Sequence, residues 1–269
     1  MSSAASLSGI SAKLPQSLRV EQRGVVALLF LARAHKRNAL DDATVFGLEA
    51  FFSSLPEGIK AVVLAADGEH FCAGLDLGEL AQLNVGQGVA HSRSWHRAFE
   101  RMEFGQVPVV AVLHGAVVGG GLEMAAACHI RVAEGSAYYA LPEGSRGIFV
   151  GGGGSVRLPR LIGTAQMMDM MLTGRSYDAA EGQAIGISHY LVTPGEGLGK
   201  GIELAERIAA NAPMTNFAVT HVLPRIAQSD PASGYVTEAL IAAIAQGEDE
   251  AKARMQAFLN KRAPKATQD

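Results

Sequence analysis

The chain has 269 residues, is 48% hydrophobic and carries a formal net charge of −3 at neutral pH. That apolar share suffices for a sizeable core, while the near balance of charge without a basic stripe excludes nucleic acid as the expected partner. Apolar runs such as residues 25–32 are far too short to span a bilayer, and Cys72 and Cys128 give neither a disulfide framework nor metal-ligand spacing, which suits a reducing, cytoplasmic setting.

Residues 1–17 are rich in Ser and Ala, lack acidic residues and hold Lys13 as their one basic side chain. They read as a disordered leader rather than a transit peptide. Residues 18–22 alternate and 25–31 are apolar; with Arg23-Gly24 between them they predict a hairpin. The charged loop 33–37 leads through Asn38-Ala39-Leu40 to Asp41-Asp42, an N-cap for a helix running to about residue 55. Leu48, Phe51 and Phe52 have core spacing on that helix. Pro56-Glu57-Gly58 ends it, and 59–65 predict a buried strand. Residues 71–77 have no period of their own and follow the strand's carboxyl end, the edge where open α/β folds bind ligands. A second helix is predicted for 88–103, with Trp95, Phe99 and Met102 on one side. His91 and His96, five apart, do not share a helical face as a metal pair would and read as solvated or capping.

Residues 108–128 organise the rest. An apolar run at 109–113, bounded by Pro108 and Gly115, predicts a strand covered on both faces, and 122–128 are helix formers. Gly119-Gly120-Gly121 falls at the junction, where the first helical N–H groups lack intrahelical partners and no Cβ keeps a ligand away. Glu123 follows within the first turn, so a donor for developing negative charge stands beside a carboxylate. Taken alone, such a turn more often serves packing, and such a glutamate the helix dipole. Beyond it come a strand at 129–133, Pro142-Glu143, a second glycine cluster at 151–154, and short helices at 164–172 and 178–185, the latter opened by an Asp178–Glu181 capping box. A strand at 188–192 closes a core of β-α units over 18–195. Residues 196–269 read as a helical region, with helices at 196–210, 213–227, 231–246 and 248–261.

Rival motifs are absent. Neither glycine cluster fits G-x-G-x-x-G after a first strand, and no glycine precedes Lys-Ser/Thr in P-loop spacing. Ser155 has Gly153 before it but Arg157 after it, so it is no nucleophile elbow. No H-E-x-x-H or Cys/His quartet exists to hold a metal.

Four segments together resemble the crotonase (enoyl-CoA hydratase/isomerase) superfamily: 33–40 with its Asn-Ala-Leu ending, 71–77, 114–123, and Pro142-Glu143 with the glycine-rich 151–158. The resemblance covers about residues 18–262. It implies an α/β fold, a spiral of repeated ββα units in two roughly perpendicular sheets, and a helical C-terminal region that assembles homotrimers, often paired into homohexamers. It also implies acyl-CoA substrates, with coenzyme A part of the substrate and no prosthetic group. By motif position the oxyanion hole is the backbone N–H groups of Leu75 and Gly120, a device worth roughly 10²–10³ in rate per donor. Glu123 falls at the water base and Glu143 at the α-carbon acid. Coenzyme A would lie against His35, Lys36, Ala39, Ala73, Gly74, Leu75, Asp76, Leu77 and Gly120, and Phe258 and Lys261 would reach a neighbouring subunit's coenzyme A.

The chain departs from the family pattern in several places. Ala34 replaces the usual proline, Gly78 replaces a basic residue beyond Asp76, and Gly144-Ser145-Arg146-Gly147 follows Glu143 where aliphatic residues are common. Phosphate pairing then falls to His35 or Lys36, and Arg146 argues against a plain fatty-acyl tail, because a guanidinium is costly to bury beside an alkyl chain. Gly151 stands where the dehalogenase branch has its nucleophilic aspartate. The implied activity is hydration of a 2,3-enoyl-CoA to a 3-hydroxyacyl-CoA. Its alternatives are double-bond isomerisation with one glutamate as proton shuttle, and acyl-CoA binding without turnover.

Overall fold

The computed structural model describes residues 7–11, 13–79 and 83–260. Leu7–Ser11 forms a short helix, α1, whose Leu7 is buried against the core, so the leader is not wholly without structure as expected. Strands β1 (Leu18–Arg23) and β2 (Val26–Leu31) make the hairpin, with Arg23 opposite Val26 and Gly24 at φ +60° in the turn. Helix α2 (Asp42–Ser53) starts where Asp41 accepts the Thr44 N–H. Strand β3 (Ala61–Ala66) follows, then α3 (Val85–Glu103), opened by a reciprocal Asn84–Gln87 capping box. Next come β4 (Val109–Leu113), β5 (Ala116–Val118), α4 (Gly120–Ala126), β6 (Ile130–Glu134), β7 (Tyr138–Ala140), α5 (Gly154–Ile162) and α6 (Thr164–Thr173). The unit ends with β8 (Tyr177–Asp178), α7 (Ala179–Ala184), β9 (Tyr190–Val192) and α8 (Gly197–Ala209).

Six strands form one sheet in the order β1-β2-β3-β4-β6-β9, antiparallel at β1–β2 and parallel elsewhere. Its middle strands are buried on both faces, and alternate side chains go to opposite layers. Leu29, Leu31, Val62, Leu64, Ala111 and Leu113 face one core with Phe51, Phe52 and Phe99; Leu28, Phe30, Val63, Ala65, Val110 and Val112 face another with Ile202 and Ala205. Each fully buried Leu or Phe contributes roughly 1.5–3 kcal/mol. A second, three-stranded sheet has the order β5-β7-β8, and an isolated bridge joins Cys72 to Val117 of β5. Both cysteines are free, and burial pushes each thiol up to about 12.

Helix α8, expected to belong with the C-terminal helices, packs instead on the large sheet. A Cβ on Gly201 would lie 2.6 Å from Val112, and the Glu134 carboxylate accepts the Gly197 N–H at 3.0 Å. The compact unit therefore runs to Ala209 rather than ending at residue 195. From Ala210 a second unit is helical: α9 (Pro213–Phe217), a wide π-type turn at Ala218–Val222, α10 (Leu223–Ile226), α11 (Pro231–Gly247) and α12 (Asp249–Leu259). Asp230 caps α11 by accepting the N–H groups of Ala232 and Ser233. No described helix is long and apolar enough to cross a membrane.

Strands β5 and β7 and helix α5 exceed the sequence reading. Three-residue strands are too short to show alternation, and α5 opens on glycine and contains Pro159, both poor helix formers.

Candidate active site

The loop after β3 is locked to the loop before α2. Leu40 N–H donates to Gly74 O and Asp76 N–H to Leu40 O, while Arg33 bridges Asp41 and Asp76 at 3.3 and 3.0 Å. Asn38 anchors the near side: with φ +55° and 1% exposure, it donates to Asp67 O and His70 O and accepts the Arg33 N–H, all at 2.8 Å. This zipper fixes the Gly74–Leu75 peptide against the start of α4. A Cβ on Gly74 would lie 2.9 Å from Val118 O and 3.4 Å from Gly120 N, and one on Gly120 would lie 3.4 Å from Leu75 N. Glycine is required at 74 twice over, by this approach and by its φ of +96°. Among the described residues neither the Leu75 nor the Gly120 N–H has an acceptor, and both residues line one cavity of about 310 Å³. Two unpaired donors converging on a cavity form an anion-accepting pair.

Glu123, 3% exposed on α4, places its carboxylate beside the second glycine cluster. Its Oε1 accepts the N–H groups of Gly152 and Gly154, each at 2.8 Å. A Cβ on Gly154 would lie 2.7 Å from Glu123 Cγ, so these glycines exist to let the turn close around the acid. Arg157, on α5, holds the turn from behind, donating to Gly152 O at 3.0 Å and to Glu103 Oε2 at 2.6 Å. Burial raises the Glu123 pKa, while the Gly154, Gly152 and Gly151 N–H groups and Arg157 pull it back.

Glu143 is also buried, at 7% exposure, but lacks such a nest. It follows Leu141-Pro142 and precedes a single turn at Gly144–Arg146. Its Oε1 occupies the space over Gly119, where a Cβ would come within 2.7 Å, and its Oε2 is buried without a hydrogen-bond partner. Burial pushes its pKa up to about 7, its own backbone opposes this, and the Glu123 charge adds to the rise. Arg146 exerts the opposing pull of a nearby cation.

Helix α3 supplies the remaining wall. The benzo edge of Trp95 lies against Gly120 and Gly152, its ring meets Phe99 edge-on at 5.6 Å, and His91 stands 5.7 Å from it. Ser92 donates to Gly151 O at 2.6 Å. His91 is not a solvated residue as expected: it lines the cavity, and its Nε2 meets Asp42 Oδ1 at 2.9 Å, in ion-pair contact but out of hydrogen-bond alignment. The sequence signal was the four-residue spacing of His91 and Trp95, which stacks them on one face. Arg157 and Asn38 were also unforeseen as site builders.

The cavity brings together Ala73, Gly74, Leu75, Leu77, Gly120, Glu123 and Glu143 of the sequence-derived set, with Arg146. Asp76 is turned to Arg33, and Ala39 passes its carbonyl to the same guanidinium at 2.9 Å. His35 and Lys36 are exposed on the preceding loop and do not line the cavity. Phe258 is exposed on α12, and Lys261 lies outside the described residues. Among the described residues no group of three His, Cys, Asp or Glu side chains is placed to ligate a metal.

A family model described as enoyl-CoA hydratase/isomerase matches residues 21–269. A solved structure from Rhodopseudomonas palustris, of a protein assigned as an enoyl-CoA hydratase, is 54% identical, covers 91% of this chain and 95% of its own, and superposes with a TM-score of 0.90. An enoyl-CoA hydratase structure from Bacillus anthracis is 31% identical over 93% of this chain and 98% of its own, with a TM-score of 0.86. The short-chain-enoyl-CoA hydratase of Clostridium acetobutylicum is 30% identical, covering 90% of this chain and 94% of its own. The architecture is the crotonase fold, a mixed α/β scaffold with a helical C-terminal region. The chain belongs to the enoyl-CoA hydratase/isomerase family, whose members act on acyl-CoA thioesters.

Proposed function

We propose that this protein hydrates a 2,3-enoyl-CoA to the 3-hydroxyacyl-CoA. The observation that carries the reading is a pair of buried carboxyls in unlike environments, lining one cavity with two unpaired backbone N–H groups. The thioester oxygen accepts the Leu75 and Gly120 N–H groups. Water adds its oxygen to the β-carbon as Glu123 takes its proton, and the π electrons move onto the thioester oxygen as an enolate held by the two donors. The enolate collapses as the α-carbon takes the proton from Glu143. Glu123 suits the base because, although burial raises its pKa, three N–H groups and Arg157 oppose that rise; Glu143 suits the acid because its pKa of about 7 keeps a proton available at neutral pH. Two acids with opposed duties favour hydration over isomerisation, which needs one. No prosthetic group enters this chemistry.

Assembly as a trimer or hexamer, in the cytoplasm, completes the reading. Leu240, Ile244, Tyr235 and Phe258 are exposed apolar side chains on α11 and α12 that suit burial against another copy. A monomeric mass by light scattering at micromolar concentration would overturn the assembly, and absence of turnover with a panel of aliphatic, aromatic and carboxylated enoyl-CoAs would overturn the activity.

A further inference from the structure

The cavity is not finished as an alkyl pocket. Six buried polar side-chain atoms lack a hydrogen bond among the described residues, and three of them belong to residues that line this one cavity: His91 Nε2, Trp95 Nε1 and Glu143 Oε2. The last belongs to the reaction; the other two stand on α3, where His91 Nε2 already lies 2.9 Å from Asp42 Oδ1 and Trp95 Nε1 has no partner among the described residues. A buried polar atom without a partner is unfavourable, so a ligand that supplies one binds better for it. Trp95 presses its benzo edge to Gly120 and Gly152. Its Nε1 therefore lies on the edge of the ring away from Gly120 and Gly152, buried and without a partner among the described residues. Arg146 completes the picture from the opposite loop. It lines the same cavity, and no carboxylate lies in ion-pair range of its guanidinium among the described residues, whereas Arg33 and Arg157 are both committed to carboxylates.

We propose that Trp95 and Arg146, with His91 beside them, form a distal subsite for a carboxylate at the far end of the acyl chain, so that the substrate is a dicarboxylic enoyl-CoA. The inference rests on the acyl-CoA reading above. The sign of the ligand follows from the groups: an indole N–H and a guanidinium are donors only, and they call for an acceptor. A guanidinium also grips a carboxylate through two parallel hydrogen bonds, which a hydroxyl or ketone does not match. Asp42 does not line the cavity and faces His91, so it leaves the subsite to the donors. A methyl-terminated chain satisfies none of these groups and would strip water from Arg146.

Calorimetry with saturated thioesters tests the subsite without turnover. Adipoyl-CoA and hexanoyl-CoA have the same chain length and differ at the far end. Adipoyl-CoA should bind roughly 10- to 150-fold more tightly, the range for a charge-assisted pair. Arg146→Gln, on an exposed turn, should bring the ratio close to one, and Trp95→Phe, which keeps a ring but removes the N–H, should reduce it several-fold. Thermal melts check that each variant folds. Equal affinities in the native protein, tighter hexanoyl-CoA, or a ratio untouched by Arg146→Gln would overturn the subsite. If both thioesters bind with the expected preference but no enoyl-CoA is hydrated, the hydratase reading falls and the subsite stands. If neither binds, the acyl-CoA reading falls and takes the subsite with it.

Discussion

Two turns of the same cavity hold the same side chain in opposite ways. The 151–154 turn wraps Glu123 with backbone donors and is itself clamped by Arg157 and Glu103. The 142–147 turn merely delivers Glu143, leaving one oxygen buried and unpaired. Burial raises the pKa of both acids, but around Glu123 backbone donors and Arg157 oppose the rise, whereas around Glu143 the neighbouring Glu123 charge adds to it. The contrast teaches that the proposed acid–base assignment would reside in main-chain geometry more than in residue type.

The largest expected effect comes from removing either acid. Glu123→Gln and Glu143→Gln should each lower kcat for hydration by about 10²-fold or more with little change in binding, measured by steady-state kinetics and calorimetry. Loss in only one variant would collapse the division of labour; loss confined to Glu143→Gln would favour isomerisation. Next is Gly154→Ala, which leaves both acids intact but drives a methyl group toward Glu123 Cγ. A displacement near 1 Å should reduce kcat about 10²-fold, while the Glu143-dependent pH limb stays where it was.

The pH profile sharpens the contrast further. Glu143 must be protonated to act, and its pKa is raised to about 7, so kcat should fall about tenfold per unit as pH rises beyond that value. A rate constant flat through pH 9 would contradict the acid role. Arg157→Gln should act on the other limb. The cation that favours ionised Glu123 is lost, so the base needs a higher pH and activity falls on the acid side of the profile, by less than in Gly154→Ala. The smallest effect concerns stability. A carboxyl whose pKa is raised on folding stabilises the fold fully below its ordinary value of 4.5 and loses that contribution as pH rises through about 7. The Tm advantage of Glu143→Gln over the native protein should therefore grow across that window and level off above it.

Much of the scaffold was readable from pattern. The Asp41 cap, the all-apolar run of β4 and the Asp178–Glu181 box each rest on local chemistry that sequence displays directly. The motif resemblance supplied Leu75, Gly120, Glu123 and Glu143, and the fold brings all four to one cavity. What stayed hidden depends on contacts between distant segments. Nothing local tells that Arg157 reaches back to Gly152, that His91 meets Asp42 from another helix, or that Asn38 takes a left-handed backbone to tie two loops together. Helix α8 misled for a related reason: its pattern is helical whether it packs on a sheet or on other helices, and only Gly201 against Val112 reveals the choice.

In the proposed mechanism the groups that meet the thioester oxygen are main-chain N–H groups, and this has a consequence for how the protein can change. Substitution at Leu75 alters a side chain and leaves its amide in place, while Gly74 admits no replacement beside Val118 O. The polarising apparatus is thus insulated from mutational drift, whereas the exposed Arg146 and Phe149 line the cavity away from it. Variation there retunes the choice of acyl group without disturbing the reaction. A library randomised at those two positions should yield altered selectivities with turnover retained, and the same effort spent at 74 and 120 should yield inactive proteins.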